Sequence, residues 1–316
     1  MKVKSVCVIG GSGFLGSHII QRLAAQGVQV RVPTRRRERA KHLIVLPTVD
    51  VVNADVHDPR ALARLVSGTD AVISLAGILH ERRAGDFARV HAALPRKIVD
   101  ACREQGVPRL LHVSALKAAH DAPSAYLRSK AGGEQQVRVA QAAGIRTTVF
   151  RPSVIFGRGD SFLSLFASLA RWLPVIALAS PGARFQPVFV EDVTQALVAS
   201  LEDAQTHDRS FDLCGPQVYT LQQLVEYVCS VLDLERPVIP LNDRFSYLQA
   251  WVMEQLPVKL MTRDNLLSMQ ADNVCDCPFP PEFGLEPTPL EAVAPLYLRD
   301  ASPRSRYRWL RLRAGR

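Results

Sequence analysis

Three residues in the first half of the chain have the types and the spacing of a proton-transfer site. Tyr126 and Lys130 are four positions apart, so on a helix they share one face and the ammonium group lies beside the phenol. A free tyrosine has a pKa of roughly 10, and a neighbouring cation is expected to lower that pKa toward the range of a general acid or base. Ser114, upstream of this pair, would hold a substrate oxygen while a nicotinamide gives or takes hydride.

These residues need a scaffold, and the sequence predicts one from its alternation of apolar runs and helical stretches. The runs predicted as strands cover residues 6–9, 28–32, 49–53, 71–75, 110–114 and 147–150. Helical patterns separate them, which is typical of parallel crossovers. We therefore predict an α/β fold, a Rossmann-type doubly wound parallel sheet with a smaller C-terminal cap region. Ser114 then ends a strand and Tyr126 lies in a helix; the alternative for a lone Tyr-x-x-x-Lys pattern is an ordinary surface helix.

The first strand runs into a glycine-rich turn, residues 10–16, before the first helix. Gly10 lets the chain turn out of the strand, Gly13 has no Cβ to keep a pyrophosphate away, and Gly16 lets the helix pack close to the sheet. The helix N-terminus supplies free amides and a positive dipole end to phosphates. A flexible turn is the alternative, but the strand and helix on either side favour a dinucleotide site.

The end of the second strand bears on which dinucleotide is bound. An NAD site usually places an acid there for the ribose 2′-hydroxyl. This chain instead continues through three arginines, residues 35–37, with no acid before Glu38. A solvated basic loop is one interpretation. We favour NADP(H) over NAD(H), with Arg35 as the contact to the 2′-phosphate.

Two later strand ends carry further candidates for the cofactor site. Asp55 follows the third strand, where its carboxylate could reach the adenine ring. Ala76 and Gly77 follow the fourth strand, and their small size would let a cofactor pass over the carboxyl end of that strand. Ligands of open α/β sheets bind at this edge.

Composition and charge bear on compartment and partners. The chain has 316 residues and a formal net charge of +9. The first strand begins too soon for a signal peptide, and no apolar run is long enough to span a bilayer, so we expect a cytoplasmic protein, peripheral at the inner face of a membrane at most. The last eighteen residues hold seven arginines and one acid. This tail could meet anionic lipid, a respiratory complex or solvent; nucleic acid is not expected, because no nucleic-acid module is visible.

We divide the chain into a dinucleotide-binding domain, residues 1–155, a mixed substrate and cap region, 156–298, with some segments returning to the Rossmann core, and a basic tail, 299–316. The six cysteines show neither paired spacing nor nearby histidines. We therefore expect reduced cysteines, with no disulfide framework and no metal site.

The glycine turn together with Ser114, Tyr126 and Lys130 resembles the short-chain dehydrogenase/reductase superfamily, in its extended or atypical epimerase-like branch. Residues 151–157 and 187–193 are similar to later signatures of that branch. The resemblance implies a further set of cofactor contacts beyond the glycines, Arg35, Tyr126 and Lys130. That set comprises Ser12, Phe14 and Leu15 in the turn, Asp55 and Val56 at the adenine, Leu75, Ala76 and Gly77 at the fourth strand end, and Pro152 and Val154.

Within that branch, several segments resemble the large NADPH-binding accessory subunit of respiratory complex I and its bacterial relatives. They are residues 126–130, 156–158, 166–168, 288–291 and 306–310. The last of these is the most specific, because dinucleotide binding does not require it. The resemblance implies a protein that holds NADPH for structural or regulatory ends, without an established turnover reaction.

Our leading hypothesis is an NADP(H)-binding protein of this type, whose Ser-Tyr-Lys set supports a quinone- or respiration-linked oxidoreductase acting on an unknown small molecule. One alternative is a nucleotide-sugar epimerase, dehydratase or reductase. Another is a non-catalytic NADP(H)-sensing or structural subunit. The apolar stretches 162–178 and 245–260 suit either a partner surface or a buried pocket and cap.

Overall fold

A seven-stranded parallel sheet lies at the centre of the computed structural model, which describes residues 2–256 and 260–299. In chain order the strands of these residues are β1 (Ser5–Ile9), β2 (Gln29–Thr34), β3 (Val49–Asn53), β4 (Ala71–Ser74), β5 (Arg109–Val113), β6 (Arg146–Pro152), β7 (Ile155–Phe156), β8 (Ile176–Leu178), β9 (Arg184–Phe185), β10 (Val188–Phe189), β11 (Arg209–Leu213), β12 (Tyr219–Thr220) and β13 (Val238–Pro240).

The α-helices surround the sheet and build the cap. They are α1 (Phe14–Ala25), α2 (Lys41–Ile44), α3 (Pro59–Val66), α4 (Leu94–Gln105), α5 (Ala125–Ala142), α6 (Phe162–Trp172), α7 (Val190–Ser200), α8 (Leu221–Val231), α9 (Asp243–Glu254), α10 (Arg263–Ser268) and α11 (Leu290–Leu298). A π-helical segment, Ala88–Ala93, leads directly into α4.

The strand order of the central sheet is β3-β2-β1-β4-β5-β6-β11, and every neighbouring pair is parallel. Strand order reverses direction between β1 and β4, so the chain leaves these two strands toward opposite edges. Ligands of open α/β sheets bind at such a switch point. The predicted doubly wound parallel sheet is therefore confirmed, and the glycine turn after β1 lies at its switch point.

Strand β1 shows why both faces of the sheet are covered. Val6 and Val8 join the core cluster beneath α1 and α7, whereas Cys7 and Ile9 join the cluster beneath α3, α4 and α5. All four side chains are fully buried. Successive strand residues point to opposite faces, so an uninterrupted apolar run is what a sheet with helices on both faces requires.

Local signals in the sequence begin and end the helices. Asp58 accepts a hydrogen bond from the amide of Arg60 at the start of α3, and Ser124 accepts one from Leu127 at the start of α5. Gly106 adopts a left-handed conformation and ends α4. These are the caps that helix termini need for their unpaired amides and carbonyls.

The chain returns to the central sheet after its first cap segments. Helix α7 packs beside α1, and β11 pairs with β6, with Phe211 opposite Phe150. The sequence alternation fades after about residue 155, because short strands and the helix α6 intervene before this return. A third core cluster, formed largely by α6, α8 and α11, lies within the cap.

One expectation about the cysteines is wrong. Cys214, directly after β11, forms a disulfide with Cys275, which is 61 positions later in the chain. The amide of Cys275 donates to the Gln186 side chain, so a loop contact carries this cysteine to the end of β11. Spacing along the sequence could not reveal a pairing that depends on where a loop packs. Cys277 is exposed and free.

The described residues contain no cluster of side chains suited to a metal ion. None of their helices combines the length and apolar character needed to cross a bilayer. Of the predicted basic tail, only Arg299 belongs to the described residues; residues 300–316 lie outside them.

Candidate functional site

The glycine turn after β1 is held by close backbone contacts. Gly10 has a φ of +84°, and a Cβ there would lie 2.9 Å from backbone atoms of Leu75 and Ala76. A Cβ on Gly16 would lie 2.5 Å from the Cα of Gly11. Side chains are therefore excluded at both positions, and the first turn of α1 lies directly against the end of β1.

The start of α1 presents backbone amides without a side-chain cap. Gly13 is the N-cap residue, it is exposed, and no acidic residue lies in the first helical turn. Ser12, Phe14 and Leu15 are half-buried around it. Because unpaired amides and the helix dipole attract anions, this end of α1 has the form expected of a phosphate site. The predicted turn residues are thus brought together.

At the end of β2, the basic segment turns sharply. The Thr34 hydroxyl donates to the Arg36 carbonyl and accepts from its amide. Arg35 is exposed and makes no ion pair within the described residues. Arg31, within β2, is not free for a ligand in the same way, because its guanidinium donates a hydrogen bond to the Leu65 carbonyl at 2.6 Å.

Arg35 and Asp55 are both close enough to His57 to affect its ionisation. Burial is the largest cause that lowers the pKa of His57, and the charges of Arg89, Lys97 and Arg35 lower it further, against Asp55, which raises it. Asp55 accepts a hydrogen bond from the His57 amide. The ends of β2 and β3 therefore bring the predicted 2′-phosphate and adenine contacts together.

The end of β4 borders both the turn and the predicted catalytic residues. Leu75 packs against the core beneath α1, and Ala76 and Val56 pack against the opposite core. A Cβ on Gly77 would lie 3.7 Å from both the Lys130 ammonium nitrogen and His91 Nε2. Gly77 is therefore the point at which the cofactor half and the catalytic half of the predicted site meet.

Ser114 directly follows β5, and the buried side chain of Lys130 reaches the last residue of the same strand. The Lys130 ammonium donates to the Val113 carbonyl at 3.0 Å, and burial lowers the pKa of Lys130 to about 8. The Ser114 side chain is 4% exposed, and its hydroxyl has no hydrogen-bond partner within residues 2–256 and 260–299. A buried hydroxyl without a partner is rare in proteins and calls for an explanation.

Tyr126 departs from the sequence expectation. Its ring packs edge-on against Phe87 and His91, with ring centres 5.9 and 5.6 Å away. Burial raises the pKa of Tyr126 to about 12, so the expected lowering by Lys130 is wrong for the protein alone. The reason is that the Lys130 ammonium donates to a backbone carbonyl, while the phenol lies among aromatic rings.

The sequence did not indicate a chain of hydrogen bonds that ends at the Tyr126 carbonyl. The Ile78 amide donates to His91 Nε2 at 3.0 Å, and His91 Nδ1 lies 2.8 Å from the Ser129 hydroxyl, which donates to the Tyr126 carbonyl. Because Nε2 accepts, the neutral imidazole carries its proton on Nδ1. Burial lowers the pKa of His91 to about 3, which keeps it neutral.

The π-helical segment that carries His91 has its own packing reason. A Cβ on Gly133 of α5 would overlap the His91 carbonyl oxygen, so glycine is needed where the two segments touch. π-Helical turns occur often at functional sites. The pair of glycines in α5, Gly132 and Gly133, is the signal in the sequence that could have indicated this contact.

Asp264 of α10 was also missed. Its two carboxylate oxygens accept hydrogen bonds from the amides of Ala125 and Tyr126, at 2.7 and 3.0 Å. A carboxylate at a helix N-terminus also interacts favourably with the dipole. The cap thereby completes the start of the catalytic helix. A separation of 138 positions along the chain concealed this contact in the sequence.

The later strand ends join the site through the cap. Pro152 is buried at the end of β6, and the Val154 amide donates to the Asn273 side chain at 3.0 Å. In α5, Glu134 lies one turn after Lys130. It is buried and accepts two hydrogen bonds from the Arg151 guanidinium, at 2.8 and 2.6 Å. This bidentate pair ties α5 to β6 below the predicted catalytic residues.

Known proteins resemble this chain over most of its length. The chain is 34% identical over 315 residues to the protein of Mus musculus named NADH dehydrogenase [ubiquinone] 1 alpha subcomplex subunit 9, mitochondrial; the match covers 96% of this chain and 81% of that one. It is 37% identical over 195 residues to the Ceramide reductase of Caulobacter vibrioides, covering 61% of this chain and 60% of the relative.

Among solved structures, a UDP-glucose 4-epimerase from Thermotoga maritima has the same fold, with a TM-score of 0.71 and 17% identity over 93% of this chain and 97% of that one. The model of the NAD dependent epimerase/dehydratase family matches residues 6–214. This range holds the glycine turn, Ser114, Tyr126 and Lys130. The chain therefore belongs to the NAD dependent epimerase/dehydratase family.

Proposed function

We propose that the protein is an NADP(H)-dependent oxidoreductase that reduces a carbonyl group, with Ser114, Tyr126 and Lys130 as its catalytic residues. The observation that carries this proposal is the Ser114 hydroxyl, which is buried, has no partner in the described part of the chain, and directly follows Val113, the acceptor of the Lys130 ammonium. A substrate oxygen would supply the missing partner. The glycine turn, which excludes side chains, fits a dinucleotide diphosphate at the start of α1.

The proposed roles follow from position and ionisation. When bound, the dinucleotide would supply hydride to the carbonyl carbon. Ser114 would donate a hydrogen bond to the carbonyl oxygen, and Tyr126 would give that oxygen its proton. A phenol with a pKa raised to about 12 is protonated at neutral pH, as an acid for the reductive direction must be.

Lys130 and His91 would support Tyr126 in different ways. With a pKa of about 8, Lys130 is largely protonated at neutral pH and can return a proton toward the phenol. His91 is neutral and holds the Tyr126 backbone through Ser129, so it positions the residue. The proton that the phenolate finally regains comes from solvent.

For the cofactor, we propose NADP(H). Arg35 is exposed directly after β2, and its charge reaches His57. The sequence after β2 has no acid before Glu38. A guanidinium binds a phosphate through paired, charge-assisted hydrogen bonds. The other cofactor residues proposed are those of the turn and strand ends described above, together with Pro152 and Val154.

For the substrate, we propose a ketone or quinone carbonyl on a molecule with an apolar chain. The relative named Ceramide reductase supports this class. A nucleotide sugar, the alternative substrate, is supported by solved structures such as the UDP-glucose 4-epimerase, which is 17% identical. Such similarity concerns the fold alone.

A second candidate function is a non-catalytic subunit of a respiratory complex that holds NADP(H) for structural ends. It is favoured by one observation, the 34% identity to a relative named as an NADH dehydrogenase subunit, which extends over 96% of this chain. The chain retains all three residues of the Ser-Tyr-Lys set, which a purely structural role does not require. Measured turnover distinguishes the two candidates, because only the oxidoreductase would convert a substrate.

The catalytic proposal is tested by NADPH oxidation against a panel of long-chain ketones, quinones and nucleotide sugars. We expect turnover with an apolar carbonyl compound, and a fall in kcat of at least about 100-fold for Tyr126→Phe, because the variant lacks the proton donor. Tyr247→Phe, a change at an exposed tyrosine of α9, is the matched control. Unchanged turnover in Tyr126→Phe would reject its role; no turnover with any compound would favour the structural subunit.

The cofactor proposal is tested by titration of NADPH and NADH. Arg35→Ala should weaken NADPH binding by about 10- to 100-fold, the effect of losing a hydrogen bond to a charged group, and leave NADH binding unchanged. Arg103→Ala, at the exposed far end of α4, is the control. Equal losses for both nucleotides would remove the 2′-phosphate assignment.

A further inference from the structure

Helix α9 exposes its large apolar side chains, whereas a cap that covers a buried pocket would bury them. Only Ser246 and Ala250 of this helix are buried, and both are small. Phe245, Leu248 and Val252 are 58%, 52% and 48% exposed. Their spacing of three and four positions places them on one stripe, opposite the buried pair.

A second exposed apolar segment lies beside α9. Trp172, the last residue of α6, is 84% exposed, and Leu173, which begins the loop to β8, is 41% exposed. The amide of Ser180 donates to Ser246, and the Gln249 side chain donates to the Ala177 carbonyl. The earlier residue of α9 contacts the later residue near β8, so α9 and β8 are antiparallel. The C-terminal half of α9 therefore points toward the loop that precedes β8.

We call the exposed apolar side chains of α9 and of residues 172–173 the apolar surface. It comprises Trp172, Leu173, Phe245, Leu248, Trp251 and Val252. An exposed patch of this kind marks a site of interaction. Its aromatic content is typical of side chains at a membrane interface, where one part of the ring is apolar and the other meets water.

The described chain ends next to the apolar surface. The Arg171 guanidinium donates to the Leu298 carbonyl at 2.6 Å, so the end of α11 lies beside the residue that precedes Trp172. From there the sequence continues through residues 300–316, which hold six arginines and one acid. An apolar face and a basic segment are the two signals that together give stable binding to an anionic bilayer.

We propose that the apolar surface binds an anionic membrane, with α9 lying in the plane of the headgroups; the six arginines in the sequence of residues 300–316 favour anionic over neutral lipid. This inference goes beyond the proposed reduction and does not depend on it. A second copy of the chain or a protein partner would also cover apolar area, but neither calls for a basic segment at the same edge.

The membrane-facing element leads directly to the catalytic helix. Helix α10 follows α9, and its Asp264 accepts from the amides of Ala125 and Tyr126. The next residue, Asn265, donates to the carbonyl of Leu79, just after Gly77. The element that follows α9 in the chain therefore contacts both the start of the catalytic helix and the segment after Gly77.

The test is co-sedimentation of the full chain with vesicles of phosphatidylcholine alone or mixed with phosphatidylglycerol. We expect binding to the anionic vesicles at least about tenfold above the neutral ones, with less binding at high salt. Phe245→Gln/Trp251→Gln should reduce binding about tenfold, and deletion of residues 300–316 should abolish the preference for anionic lipid. Val45→Gln/Val139→Gln, at exposed apolar positions elsewhere, should bind like the parent.

NADPH affinity and thermal unfolding show that each variant is folded, since none of these residues belongs to the candidate site. Failure of the full chain to bind anionic vesicles would overturn the proposal. So would equal binding by the Phe245→Gln/Trp251→Gln variant and the parent. A parent dimer in sedimentation velocity that this variant converts to monomer would assign the surface to a second copy instead.

Discussion

The glycine turn and helix α9 are specified in opposite ways. In the turn, each missing side chain is explained by neighbouring atoms: Gly10 lies against the end of β4, and Gly16 lies against Gly11. In α9, only Ser246 and Ala250 are buried, and the large side chains of Phe245, Leu248 and Val252 are about half exposed. The comparison teaches that contacts inside the fold specify the side chains of the turn, whereas they leave the large side chains of α9 unspecified.

The largest effect expected from this comparison is at Gly16. Gly16→Ala would bring a Cβ to 2.5 Å from the Cα of Gly11, and we expect a loss of about 3 kcal/mol in the free energy of unfolding. NADPH affinity should fall as well, because the start of α1 must move. Urea unfolding and nucleotide titration measure both.

Gly182→Ala is the matched control for that change. A Cβ on Gly182 would have no neighbour within 4 Å, and its backbone does not need a positive φ. Its free energy of unfolding should change by less than about 0.5 kcal/mol. Equal effects at the two glycines would show that the turn is not specified by its close contacts.

A smaller effect is expected from the buried ammonium of Lys130. Its pKa is lowered from 10.5 to about 8, so between these values the unfolded chain binds more protons than the folded one. Stability therefore rises with pH in this window, and it does so by about 2 kcal/mol between pH 8 and 10. Lys130→Met should lack this rise.

The measurement is urea unfolding of the parent and Lys130→Met at several pH values. Other groups titrate in both proteins, so the difference between their pH profiles isolates Lys130. Parallel profiles would mean that the ammonium is hydrated, and that the interior around Ser114 is less dry than its 4% exposure indicates.

The smallest effect is expected in α9. Leu248 is 52% exposed, and Leu248→Gln should change the free energy of unfolding by less than about 0.5 kcal/mol. Thermal unfolding without lipid measures this, and Leu224→Gln, a fully buried change in α8, is the destabilising control. A large loss in Leu248→Gln would mean that α9 is specified from inside after all.

What the sequence predicted depended on local patterns. The first six strands of the sheet and the helices between them follow from apolar periodicity, which each segment carries on its own. The turn could be predicted because its glycines are adjacent in the chain. Ser114, Tyr126 and Lys130 were brought to one region for the same reason, since a strand end and a helix face are local properties.

The remainder depended on contacts between distant segments. The pairing of Cys214 with Cys275 and the bond from Asp264 to the start of α5 join positions far apart. The pKa of Tyr126 was predicted in the wrong direction, because a helix face shows which neighbours share it but not how deeply they are buried. For the stretch 245–260, spacing allowed both a pocket and a partner surface, and it could not show that the large side chains of α9 are exposed.

The clamp formed by Asp264 limits how the molecule can be divided. The first two amides of the catalytic helix find their acceptors in a residue 138 and 139 positions later, so the dinucleotide half is unfinished on its own. A fragment ending after β6 would leave those amides bare at the very helix that carries Tyr126. Anyone trimming this protein to a minimal nucleotide binder should retain α10 or supply a substitute cap.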